Sequence, residues 1–298
     1  MIALSDPRFW LRCAALALLL AGLLMPAMTM NRRVYNLTAV MDITGSMNVR
    51  DEMLNGATAS RLDMEKRALR RLLVTLPCGS KLGLAIFVEK QPFLLFKPVE
   101  ICGNYSALDE EIGAIDWRMG WDSESHIAET LLASIGMVRA LGSDLVFMTD
   151  GQETPPIWWD GAPQLAPVRG SVHGVIVGVG GTQFSPIPKF DFYGRQIGFF
   201  KPGDVPSERD GMFRGREHLS AVDEPHLRAL GSQTGLDYVH LTGEGELMKA
   251  VAVSALPRRE PEQMYIGWMF AGTGFVLLAA ASVFGLAHQV LQRRSIRI

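Results

Sequence analysis

The chain has 298 residues, a formal net charge of −2 and 48% hydrophobic residues, enough for one large α/β domain with or without anchoring segments. The balanced charge and the scattered Lys and Arg positions exclude the dense basic face that nucleic-acid recognition requires. In chain order, the first feature is "FWLRCAALALLLAGLLMPAM" (Phe9 to Met28), which reaches the ~20 apolar residues of a helix that crosses a bilayer. It reads as an uncleaved anchor or as a signal peptide, with Met25-Pro26-Ala27 a poor small-x-small cleavage site. Tyr35 to Met41 reads as a buried strand, and Ala57 to Leu76 as a helix whose Leu62, Ala68, Leu69, Leu72 and Leu73 share one face. Pro77-Cys78-Gly79 stops that helix.

Two β-runs follow, Leu82 to Val88 and Phe93 to Ile101, around a turn near Lys90. Cys78 and Cys102 lie equally far from that turn, so an antiparallel hairpin brings them within bridging distance. A bridge there contributes ~3 kcal/mol on the chain-entropy model and suits a periplasmic or other oxidising compartment; the alternative is two buried free thiols. Next come a short helix in "YSALDEEIGAI", a longer one from Ser125 to Leu141, and the apolar strands Asp144 to Met148 and Val172 to Val179. A helix (Pro225 to Gln233), a short strand (Asp237 to Leu241) and a last helix (Glu244 to Ala255) complete the series. Met264 to His288 is a second membrane-span candidate, with Tyr265 and Trp268 at one end and the arginines Arg293, Arg294 and Arg297 beyond it. Interfacial aromatics and a basic tail of this kind place the tail in the cytoplasm and the middle of the chain outside it.

Strands alternating with helices imply an α/β fold, doubly wound around a mainly parallel sheet, with the hairpin adding one antiparallel edge strand. The expected organisation is an anchor over 1–33, a domain over 34–256, and a transmembrane helix with a basic tail over 257–298. Two stretches, 154–170 and 182–220, are too long for ordinary connections, and such loops are usually functional or mobile.

In a parallel sheet, binding sites lie outside the carboxyl ends of the strands. Asp42 ends one apolar strand and Asp150 follows another, with Thr44 and Ser46 in the loop after Asp42 and Ser125 at the head of a helix. Two carboxylates in one crevice repel, and a cation between them relieves the repulsion. Few acids, several hydroxyls and waters make a set suited to Mg²⁺, with Mn²⁺ or Ca²⁺ as alternatives, and leave a position open for a partner's carboxylate.

Asp42-Ile43-Thr44-Gly45-Ser46 resembles the D-x-[ST]-x-S signature of the von Willebrand factor A (VWA) domain, Ser125 resembles that family's second-loop Thr or Ser, and Thr149-Asp150-Gly151 resembles its third-loop T-D-G. The resemblance implies the family's metal-ion-dependent adhesion site on Asp42, Thr44, Ser46, Ser125 and Asp150. "GVGGTQFSPIPKFDFYGRQIGFF" with "LRALGSQTGLDYVHL" is similar to membrane-anchored bacterial members, which implies a bacterial inner-membrane location with the domain facing the periplasm. Among them are accessory proteins of methanol-oxidation clusters of the MxaL or MxaC kind, linked to maturation of a periplasmic methanol dehydrogenase that uses calcium and a quinone. The looser relatives belong to aerotolerance operons. The resemblance therefore implies a tethered binding module that grips an acidic side chain of a protein partner through a metal ion, and not an enzyme. A metal-dependent phosphohydrolase is disfavoured, because Thr44 stands where such an enzyme needs a second acid. Trp158, Trp159 and Trp121 flank the expected metal edge as a candidate partner-binding rim. Asp51 and His126 read as turn or surface residues.

Overall fold

Three of the strands are mainly apolar and have no exposed position, as expected of strands covered on both faces. In chain order the sheet strands are β1 (Asn36–Asp42), β2 (Lys81–Val88), β3 (Gln91–Glu100), β4 (Asp144–Thr149), β5 (Gly174–Gly178) and β6 (Asp237–His240). The computed structural model describes residues 7–120, 124–154, 163–204 and 216–295. The spatial order is β6-β5-β4-β1-β2-β3. All neighbours are parallel except β2 and β3, which form an antiparallel hairpin. β3 alternates between half-buried and exposed positions, as an edge strand with one wet face should. The expected mixed sheet with one antiparallel edge strand is therefore present.

The helices in chain order are α1 (Pro7–Leu24), α2 (Arg61–Thr75), α3 (Tyr105–Ala114), α4 (Ile127–Leu141), α5 (Glu224–Thr234), α6 (Glu246–Ser254) and α7 (Gly267–Ser295). Helices α2, α3 and α6 bury their apolar stripes in one core layer with Leu37, Ala39 and Met41. Helices α4 and α5 cover the other face, over Val40, Phe87 and Phe147; the two phenyl rings stack with centroids 5.2 Å apart. Helix α2 starts at Arg61, four residues later than the sequence suggests. Ala57–Ala59 instead pairs with Glu52–Leu54, and Ser60 and Asp63 cap the helix reciprocally.

Cys78 and Cys102 form a disulfide with Cα atoms 5.3 Å apart. The bridge ties the end of α2 to the foot of the β2–β3 hairpin. Replacing both cysteines with serine is expected to cost about 3 kcal/mol, because 24 residues separate the linked positions and the unfolded chain regains that loop's freedom. Guanidinium unfolding curves of the two proteins measure the difference; coincident curves would contradict it.

The chain divides into two compact units, 33–259 and a second made of 1–32 with 260–298. In the second unit α1 packs along α7, and the Tyr265 hydroxyl donates to the Gly22 carbonyl. The strands Met28–Val34 and Arg258–Met264 pair as a two-stranded ribbon. Here the sequence expectation is corrected. Among the described residues, no helix is long and apolar enough to cross a membrane, so the two transmembrane helices and the inner-membrane placement built on them are withdrawn. The helices are shifted relative to the apolar runs that suggested them, one starting before its run and the other continuing past its end into Gln289–Ser295. Met28 and Met264 lie in the ribbon, and α1 ends at Leu24 while α7 begins only at Gly267.

Candidate functional site

The chain order places the site. From β1 the path moves to β2 and β3 on one side, then returns across β1 to β4, β5 and β6. The direction reverses between β1 and β4, and ligands bind outside the carboxyl ends at such a switch point. Met41 lies opposite Met148 in the parallel register, so Asp42 and the Thr149-Asp150 pair leave the sheet side by side.

Asp42 is fully buried. Its Oδ1 accepts the Thr44 backbone N–H at 2.9 Å and the Thr44 hydroxyl at 2.7 Å, and its Oδ2 accepts the Thr149 hydroxyl at 2.6 Å. Thr44 Oγ1 lies 3.2 Å from Ser46 Oγ. Burial, and then the charge of Asp150, push the Asp42 carboxyl up to about 7; the hydrogen bonds from Thr149 and Thr44 oppose the rise without cancelling it.

Asp150 is also fully buried. Its Oδ1 accepts the Gln152 N–H at 3.0 Å, and its Oδ2 accepts the Ser220 hydroxyl at 2.9 Å and Arg61 Nη1 at 2.8 Å. Arg61, the first residue of α2, has no exposed surface. Its Nη2 and Nε reach Asp51 at 2.6 and 3.0 Å, and the Ser220 carbonyl accepts from Nη2 at 3.1 Å. Burial alone would weaken this cation, but Asp51 and Asp150 together hold it charged. Gly180, at φ +117°, passes against the guanidinium, where a Cβ would collide with Nε. Asp51 is thus an ion-pair partner of Arg61 and no mere turn residue.

Ser125 is positioned by backbone pairing on both sides. It forms isolated bridges with Glu89, which follows β2, and with Thr154, which follows Asp150 by four residues. Because β2 and β4 both flank β1, these bridges carry Ser125 across the end of β1. Glu153 accepts the N–H groups of Ile127 and Ala128 at 2.9 and 2.8 Å, which caps α4 and completes its attachment to the third loop. The Ser125 Oγ is buried and has no hydrogen-bond partner among the described residues. A buried orphan hydroxyl of this kind calls for an unseen water or ion. His126 turns its Nε2 to Glu124 at 3.0 Å, at the rim.

Two groups on α2 escaped the sequence reading. One is Arg61. The other is Glu65, one turn further along α2, fully buried with neither carboxyl oxygen hydrogen-bonded among the described residues. Ser220, the last residue of the short strand that closes the 182–220 insertion, also enters the site. Trp117 packs against Phe190 with ring centroids 4.7 Å apart. Trp121, Trp158 and Trp159 lie outside the described residues.

The donor set is hard oxygen throughout: two buried carboxylates, the hydroxyls of Thr44 and Ser46 beside Asp42, and the unpartnered Ser125 hydroxyl. It suits a divalent cation that prefers oxygen and keeps some water. Among the described residues, no group of three or more His, Cys, Asp or Glu side chains is arranged to hold a metal ion; the expected set contains only two acids and draws the rest from hydroxyls.

No family model and no curated protein matches the chain. Solved structures do. An aerotolerance-related membrane protein from Bacteroides fragilis NCTC 9343 matches at 17% identity with a TM-score of 0.51, over 73% of this chain and 96% of that one. BatB from Bacteroides thetaiotaomicron matches at 18% identity with a TM-score of 0.51, over 73% of this chain and 95% of that one. A von Willebrand factor type A protein from Catenulispora acidiphila aligns more loosely, at 12% identity and a TM-score of 0.45, over 81% of this chain and 43% of that one. Similarity at this level shows the fold, an α/β VWA-like fold with a mixed sheet. It lends nothing to the methanol-oxidation assignment.

Proposed function

We propose that the chain is an accessory binding module of VWA type, without enzymatic chemistry of its own, that takes up an acidic side chain of a protein partner at a divalent cation. Asp42, Thr44, Ser46, Ser125 and Asp150 would hold the ion, with Mg²⁺ the best match to a set poor in acids and rich in hydroxyls, and Mn²⁺ or Ca²⁺ the alternatives. The observation that carries this reading is the buried, unpartnered Ser125 hydroxyl, carried across the strand end where Asp42 and Asp150 emerge. When bound, the ion supplies an under-neutralised positive centre. The chain's own residues fix its place: Thr44 and Thr149 orient Asp42, and Arg61 with Ser220 orients Asp150.

An accessory role of the aerotolerance type is supported by the kinship of fold with the Bacteroides proteins. The narrower reading, assistance to a calcium- and quinone-dependent methanol dehydrogenase, rests on the sequence resemblance alone and is the lesser one.

The test is calorimetric titration of the full chain with MgCl₂ and MnCl₂, beside Asp42→Asn and Asp150→Asn variants that keep the shape of the carboxyl. Saturable binding by the wild type, lost in Asp42→Asn, is expected. An unmodified chain that binds neither ion at millimolar concentration removes the mechanism. Capture of a partner should then require the same ion and fail in excess chelator.

A further inference from the structure

Asp150 reaches the strand end with one of its oxygens already occupied. Its Oδ2 accepts two hydrogen bonds, from Arg61 Nη1 at 2.8 Å and from the Ser220 hydroxyl at 2.9 Å. Its Oδ1 accepts one, from the Gln152 N–H at 3.0 Å. A carboxylate offers about four lone-pair sites over its two oxygens, so Oδ2 is saturated and Oδ1 alone keeps a site for an ion. The two donors on Oδ2 are fixed in place. Arg61, Ser220 and Asp150 have no exposed surface. Arg61 Nη1 also donates to the Ser220 hydroxyl at 2.5 Å, and Nη2 to the Ser220 carbonyl at 3.1 Å. Asp51 grips the guanidinium through Nη2 at 2.6 Å, and the backbone at Gly180 closes against it.

Asp42 is restricted in the same way. Its Oδ1 accepts both the N–H and the hydroxyl of Thr44. Its Oδ2 accepts the Thr149 hydroxyl, which the Gly151 N–H orients from 3.0 Å. Each acid therefore has one saturated oxygen and one with a single site left, and neither can embrace an ion with both. Thr44, Ser46 and Ser125 add one hydroxyl oxygen each, which leaves room in an octahedral shell for water or a partner's carboxylate. Mg²⁺ demands near-ideal octahedral geometry, whereas Ca²⁺ gathers about six to eight oxygens, often with a carboxylate bound through both of its own. The restraint on Asp42 comes from the segments that carry the site. That on Asp150 comes from outside the ligand set, from Arg61 on α2 and Ser220 at the foot of the insertion.

We propose that Arg61 and Ser220 are positioning residues that set the ion selectivity of the site. By saturating Asp150 Oδ2 they hold Asp150 to a single coordinating oxygen, and the site favours Mg²⁺ and Mn²⁺ over Ca²⁺. The inference rests on the cation reading above and deepens it.

The experiment is calorimetric titration of the full chain with MgCl₂, MnCl₂ and CaCl₂ for the wild type, Ser220→Ala, Arg61→Lys and Asp42→Asn, with a thermal melt of each metal-free protein. The wild type is expected to bind Mg²⁺ and Mn²⁺ more tightly than Ca²⁺. Ser220→Ala returns one lone-pair site to Oδ2. It is expected to narrow that preference by at least about tenfold, the lower end of what groups behind metal ligands typically contribute. Arg61→Lys keeps a charge but loses the fork, and is expected to narrow the preference in the same direction at a lower melting temperature. Where Arg61→Lys fails to fold, the wild type and Ser220→Ala decide the matter. An unchanged ratio of Mg²⁺ to Ca²⁺ affinity in Ser220→Ala, whether both ions hold or both weaken alike, marks a purely structural pair. With binding abolished in Asp42→Asn, that result overturns this inference and leaves the cation site standing. A wild type that binds Ca²⁺ at least as tightly as Mg²⁺ does the same. Absence of binding of every ion by the wild type overturns both.

Discussion

Replacing Arg61 with methionine is expected to destabilise the domain by about 3–5 kcal/mol, because it strips the counter-charge from buried acids while leaving them buried. The guanidinium satisfies three separate segments at once: Asp51 from the first loop, Asp150 from the end of β4, and Ser220 from the foot of the insertion. Its long stem could be replaced by another apolar stem, but Asp150 would then keep only the Ser220 hydroxyl and the Gln152 amide. Lysine is not a substitute, since one ammonium cannot span the fork between Asp51 and Asp150. Urea unfolding of Arg61→Met and Arg61→Lys measures the effect. A loss below about 1 kcal/mol, the size of an exposed pair, would mean that the three segments hold together without the guanidinium.

The metal-free protein is expected to lose stability as pH rises from about 4 towards about 7, contrary to the usual behaviour of a carboxylate. The sign follows from Asp42. Burial and the neighbouring Asp150 raise its folded pKa to about 7, while the unfolded chain titrates near the ordinary value of 3.8. Between those values the folded state holds more protons than the unfolded one, so folding stability is fully present below the lower value and declines as pH climbs through the upper. Glu65 is shifted in the same direction by burial and by the same two acids. One fully linked proton changes stability by about 1.4 kcal/mol per pH unit, and partial exposure or rearrangement on ionisation reduces it. Mg²⁺ should flatten the slope by supplying the missing positive charge. Thermal melts between pH 5 and 8, with chelator and with Mg²⁺, test this; a metal-free protein that gains stability over that range contradicts it. Carboxylates held low by hydrogen bonds, such as Glu100 with the Gly103, Gly79 and Cys102 amides, contribute in the opposite sense at lower pH and do not disturb the window.

Much of the fold was legible because its signals are local. Mainly apolar runs marked β1, β4 and β5, the spacing of Leu62, Ala68, Leu69, Leu72 and Leu73 marked α2, and the symmetry about Lys90 marked the bridged hairpin. The ribbon of Met28–Val34 with Arg258–Met264 was not legible. Its strands are polar, one carries Pro261, and their pairing links the two ends of the chain. Missing it also carried the two apolar segments into the ribbon at Met28 and Met264. Arg61 and Glu65 were missed for a different reason. They follow the helical period of α2 into its buried arc, Arg61, Glu65, Ala68 and Leu72 all being buried. Two charged residues in line with an apolar stripe are the signal that was available, and it means that the helix faces something polar at its first turns. Ser220 gave no sign, because a lone serine more than sixty residues from Asp150 has no pattern to reveal it.

The insertion leaves and re-enters the domain through one short antiparallel pairing, Ser185–Pro186 with Leu219–Ser220. Among the described residues, its root reaches Asp150 through the Ser220 hydroxyl. Its outer part includes the Pro188–Phe190 and Gln196–Phe199 hairpin, with Phe192 and Tyr193 at the exposed tip. Loop-closure entropy changes slowly with length. Beyond the root, the Pro188–Phe190 strand packs on the Gly45–Asn48 turn and on Trp117, so sequence and length can diverge, or be exchanged by grafting, only outside that strand while the acid-bearing end of the sheet keeps its geometry.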